Sequence, residues 1–129
     1  FRERTGSWPI YPVFHMSQAF AALEAAYDLA AEEAGGAFPD RVAVRDAMRG
    51  LEFQGLGRPV VIREDNQGLE SQMIGVTRTV PDYPFPIIDD MVIYPAEPIT
   101  TPVGEETLSW IGTLDASFLE ITGDRYTHD

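Results

Sequence analysis

The residues able to do chemistry are few in this chain. His15 and His128 are the only histidines. His128 sits in the terminal run Tyr126-Thr127-His128-Asp129, where a loose tail is expected. His15 lies between Phe14 and Met16, at the start of a long helical pattern. The start of a helix presents unpaired backbone N–H groups and partial positive charge, which suit a carboxylate. Phe14, His15 and Met16 are therefore the candidate ligand-binding residues, and a capping or half-buried histidine is the plainer reading of the same spacing. Asp89-Asp90 are adjacent carboxylates; neighbours on a strand point to opposite faces and cannot work as one acid–base pair. Glu105-Glu106 open a short helix, where acids stabilise the dipole. Glu64-Asp65-Asn66 lacks the oxygen spacing of a calcium loop and reads as a solvated turn.

Several chemistries are excluded outright. The chain has no cysteine, and all nine basic residues are arginine. Thiolate zinc, iron–sulfur and cysteine-nucleophile sites are gone with the first fact. Schiff-base, P-loop and kinase-type lysines are gone with the second. No serine lies in a Gly-x-Ser-x-Gly elbow, and Gly55-Leu56-Gly57 precedes a strand instead of following one, so it is no dinucleotide loop. No catalytic residue, metal site or cofactor is expected, and the chain does not read as an enzyme. The net charge of −12 opposes phosphate recognition and docking on anionic lipid. At 129 residues, 44% of them apolar, the chain suits one domain or a piece of a larger one. It opens on Phe1 and carries no signal-like stretch, so a fragment of a longer chain is expected.

Behind these residues stands a simple order of elements. Prolines 9 and 12 make an extended lead-in. An alanine-rich helix follows over about 14–34, with Phe20, Leu23, Tyr27 and Ala30 as its apolar stripe, closed by Gly35-Gly36. Pro39-Asp40 starts a second helix to about Arg49, with Asp40 as N-cap, Val42, Met48 and the alanines inward, and Gly50 as its stop. Strands are expected at 59–63, 72–80 and 91–94. A short helix is expected over 105–114, and the tail from Asp115 has no clear pattern. Strands without crossover helices do not build a self-sufficient parallel sheet, which again suggests a fragment.

Three ordered stretches carry a family resemblance. They are Ala19-Phe20-Ala21-Ala22-Leu23-Glu24-Ala25-Ala26-Tyr27-Asp28-Leu29-Ala30, then Arg41-Val42-Ala43-Val44-Arg45-Asp46-Ala47-Met48 running on to Gly55, then Gly57-Arg58-Pro59-Val60-Val61-Ile62-Arg63 with Asp65-Asn66-Gln67 and Met73-Ile74-Gly75-Val76. Together, over about residues 1–114, they resemble the C-terminal part of branched-chain amino-acid-type substrate-binding proteins of ABC importers. The resemblance implies an α/β fold, a fragment of the two-lobed type I periplasmic-binding-protein fold, with two helices followed by short strands. It implies that residues 1–63 belong to the amino-terminal lobe, 64–71 to a hinge crossing, and 72–129 to the carboxy-terminal lobe and tail. Such proteins trap a small ligand by hinge closure. The family's ligand contact in this region lies just before the Tyr/Ala-rich helix, matching Phe14, His15 and Met16. An amino acid or related amide or acid is the implied ligand, a membrane ABC permease the implied partner, and the periplasm the implied location. Where many members have a tyrosine one turn into the helix, this chain has Gln18-Ala19-Phe20. A ligand-sensing regulatory domain of the same fold, without transport, is the alternative.

Overall fold

A computed structural model describes residues 1–128. The chain divides into two compact units, Phe1–Gly68 and Leu69–Asp129. It mixes helices with two antiparallel sheets, consistent with an α/β composition.

The first unit opens with a single helical turn, α1 (Arg2–Thr5), closed by Gly6 at φ 71°. The long helix α2 spans Tyr11–Glu33 and so begins before the expected start at 14: Pro12, expected in an extended lead-in, sits in the first turn, where its missing N–H has no partner to lose. It stops where Gly35 and Gly36 take φ of 67° and 88°, a region that costs glycine nothing. Helix α3 spans Arg41–Ala47. As expected from the sequence, Asp40 caps it: Oδ1 accepts from Val42 N at 2.8 Å and Ala43 N at 2.9 Å. Those N–H groups hold the Asp40 carboxyl below its usual range, Ala43 most strongly.

Of the stripe expected on α2, Ala30 is buried and Tyr27 packs at the edge of the core, but Phe20 and Leu23 are exposed. Ala22, Ala26 and Ala30 are buried, whereas Phe20 is 64% exposed and Leu23 36%. At about 100° per residue, the alanine stripe lies roughly a quarter-turn from the Phe20–Leu23–Tyr27 stripe. Small side chains let α2 come close to α3 and to strand β1 (Glu52–Gln54), both of which it packs against. The core is Ala22, Ala26, Ala30, Val44, Ala47, Leu51, Phe53 and Val60, with Tyr27, Met48 and Ile62 at its edge. Val42, expected inward, is 45% exposed, because α3 turns Val44 and Ala47 to the core instead.

Strand β1 pairs antiparallel with β2 (Pro59–Ile62), with Phe53 opposite Val60. Both point into the core from adjacent strands. Gly55 N–H donates to Arg58 O at 3.0 Å to close the loop. A Cβ at Gly55 would lie 2.8 Å from Arg58 O, so the approach needs glycine. Gly50 N–H donates to Ile62 O, and Ile62 N–H to Leu51 O, both at 2.8 Å, tying the end of α3 into the hairpin. The segment 64–71, expected as a crossing, begins with a tight turn. Arg63 N–H donates to Gln67 O, Asn66 takes φ 67°, and the chain runs into a two-residue strand β3 (Gly68–Leu69). The sheet order is β1-β2-β3.

The second unit is a sheet of order β4-β5-β6, with β4 at Gln72–Arg78, β5 at Ile87–Tyr94 and β6 at Asp124–Tyr126. A bulge interrupts β4·β5 between Ile74 and Val76, where Asp90 takes φ 48°. Gly75 faces the bulge; a Cβ there would stand 2.5 Å from Ile88 Cγ2 and 2.8 Å from Asp89 O. Every residue of β4 is exposed. The short helix α4 (Thr107–Ile111) is capped by Glu106, which accepts from Leu108 N and Ser109 N. The tail from Asp115, unpatterned in sequence, holds a 3-10 turn at Ala116–Glu120 and then β6. No helix among the described residues is long and apolar enough to cross a membrane.

Candidate functional site

The three candidate ligand residues lie in the first two turns of α2. Ile10 precedes the helix in extended geometry and offers no side-chain cap. Pro12 has no N–H, and Val13 N–H donates to Ile10 O at 2.8 Å. The helix start therefore offers an anion fewer donors than an ordinary first turn. Its distinctive feature is aromatic. The Tyr11 and His15 rings stack at 3.9 Å between centroids, tilted by 36°. They are one helical turn apart, and Phe14 falls on the same side at i+3 from Tyr11. Phe14 is 49% exposed and His15 half-buried.

Met16 does not join that face. It stands about 100° further round, in line with Phe20 and Leu23, and is exposed. One side of the helix start thus carries Tyr11, Phe14 and His15, and the next carries an apolar stripe of Met16, Phe20 and Leu23. Tyr11, an aromatic whose type and position favour a core role in the sequence, is instead 72% exposed and joins this face through its four-residue spacing to His15. Upstream, Arg2 places its guanidinium 4.0 Å above the Trp8 ring, which fixes the lead-in to the helix.

The second unit has a groove of about 350 Å³, lined by Gln72, Ile74, Tyr94, Ile99, Phe118 and Ile121 among others. It is mainly apolar, and the tail supplies one wall. Trp110 meets Phe118 edge-on at 6.4 Å beside it.

Asp89 is the most deeply buried polar group among the described residues, at 1% exposure. Asp90 is exposed, so the adjacent carboxylates do face apart. Asp89 Oδ1 accepts from His128 N at 2.6 Å. Arg78 Nη1 stands 2.8 Å from Oδ2, at ion-pair distance but outside hydrogen-bond geometry. Backbone N–H groups of His128 and then Asp90 hold the Asp89 carboxyl below its usual range, against the opposing effect of burial. The tail expected to be loose is thus tied back through a main-chain amide of His128. No group of three metal-ligating side chains occurs among the described residues.

No protein-family model and no curated protein matches the chain.

Proposed function

We propose that this chain is part of the solute-binding component of an ABC importer, which captures an amino acid or a related amide or acid between two lobes. The observation that carries this reading is the half-open aromatic face of Tyr11, Phe14 and His15 at the head of α2. It falls where the family resemblance locates a ligand contact. Stacked rings suit the apolar side of a small ligand, and an imidazole offers one hydrogen-bonding edge. The role is binding and release, not catalysis. A membrane permease is the partner of such a protein, and the periplasm its compartment.

Exposed apolar surface supports a larger working assembly. Phe20, Met73, Ile74 and Val76 are each more than half exposed. Apolar surface on that scale marks an interface that is covered in the working form. The second unit buries a carboxylate, Asp89, more completely than any other large side chain. A sheet without a substantial apolar core gains stability from being covered.

The test is thermal unfolding of a chain extended upstream, against a panel of amino acids, amides and small organic acids. A ligand at about 100 times its Kd stabilises the folded state by about 2.7 kcal/mol. The proposal expects one ligand class to raise Tm, and Phe14→Ala and His15→Ala each to diminish the shift. A shift that both variants leave intact removes the α2 face from the site. No shift with any panel member overturns the solute-binding proposal.

A further inference from the structure

The tail of the second unit shows a division of labour among its contacts. Strand β4 pairs with β5 over most of its length, from Gln72 opposite Tyr94 to Arg78 opposite Ile87. Strand β6 pairs with the same β5 at only three positions: Met91–Tyr126, Val92–Arg125 and Ile93–Asp124. Two further features bear on how the tail lies against β5. One is the His128 amide, which donates to the buried carboxylate of Asp89. The other is Gly123, where a Cβ would lie 2.2 Å from Ile93 O and 3.0 Å from Tyr94 N. The backbone can pass this close to β5 only because residue 123 is glycine. No described residue of 115–128 is buried. A strand joined at three positions opens at lower free energy than a ladder paired along most of its length.

We propose that residues 115–128 form a strap, clasped by Asp89 and Gly123, that releases from β5 as one unit while β4 and β5 stay paired. The strap carries Phe118, Leu119 and Ile121, which form one wall of the apolar groove against Ile74, Tyr94 and Ile99. Release therefore removes that wall and frees the hydrogen-bonding edge of β5. Asp89 is a positioning residue in this device. Its carboxylate sits at the bulge, where the displaced register lets it reach the far end of the strap from inside the sheet.

Hydrogen exchange on the full chain separates the strap from the sheet. In Asp89→Asn and in Gly123→Ala, the His128 amide and the β6 amides facing β5 should exchange at least tenfold faster than in the parent. The β4·β5 amides should change by less than twofold. Asn keeps an acceptor at position 89 and removes the charge, and the glycine variant acts at the other clasp. Agreement between the two identifies the strap as the unit that opens. Unchanged exchange at His128 and β6 in both variants overturns the proposal. So does a matching acceleration across β4 and β5, which would make the tail part of one cooperative sheet.

Discussion

Replacing Ala26 with leucine tests which face of α2 is packed. Ala26 is fully buried, at 0% exposure. Leucine and alanine have similar helix propensities, so any loss of stability comes from space and not from the backbone. Adding three carbons to a closely packed helix contact costs about 1–3 kcal/mol through displaced neighbours and forced rotamers. Phe20→Ala is the counterpart on the other stripe. Truncating a fully buried phenylalanine costs about 3–5 kcal/mol. Phe20 is 64% exposed, so only about a third of that loss applies. Alanine's better helix propensity returns about 0.5 kcal/mol of it. The expected net loss is about 0.5–1.2 kcal/mol. Urea unfolding followed by far-UV circular dichroism reads both, with the slope checked for constancy. For a unit the size of Phe1–Gly68, each kcal/mol moves Tm by about 4–8 °C. Ala26→Leu should lower Tm by at least about 4 °C and leave Phe20→Ala the milder variant. If Ala26→Leu is neutral and Phe20→Ala costs more than about 1.5 kcal/mol, the packed stripe has been assigned to the wrong face.

Two further expectations follow from the geometry of the chain. Gly75→Ala should cost about 1–3 kcal/mol, because backbone atoms at the bulge cannot yield to a Cβ 2.8 Å from Asp89 O. Gly57→Ala, with open space around it, should be neutral or stabilising by up to about 1 kcal/mol, and equal urea midpoints for the two variants would contradict this contrast. Asp40, Asp65, Asp89, Glu106 and Asp115 all have carboxyls held below their ordinary values by hydrogen bonds from backbone or side-chain donors. Each adds stability above its unfolded pKa and loses it as pH falls through the lower folded value. The urea midpoint should therefore drop progressively below about pH 4, and a midpoint that stays flat to pH 2 would refute that linkage.

Much of the local structure could be read directly. Asp40 before an apolar run, the glycine pair after a long alanine-rich segment, and Gly50 after the second helix all mark ends set by nearest-neighbour chemistry. The β-branched run 59–63 and the alternation from Gln72 likewise expressed their own backbone preference. Strand β1 carries no such signal. Three residues with one buried side chain, Phe53, make a pattern too short to recognise until β2 lies beside it. The tail is silent in sequence for the same reason: β6 exists through its pairing with β5.

At the candidate site, the residue types were visible and their grouping was not. Phe14, His15 and Met16 are neighbours in sequence, yet a helix sends each about 100° from the last, so Met16 parts from the other two. Tyr11 joins His15 across a helical turn instead. By itself the sequence determined which long segments are helical and where glycines end them, which turns require glycine, and which catalytic chemistries have no residues to perform them. Those properties depend on groups within a few bonds of one another. Only the tertiary structure decided that α2 packs through Ala22, Ala26 and Ala30 while Phe20, Leu23 and Leu29 stay exposed. It alone placed Asp89 under a strap from the far end of the chain. Both outcomes depend on how closely two backbones approach, and closeness between distant segments is set by the volumes that meet there, not by either segment alone.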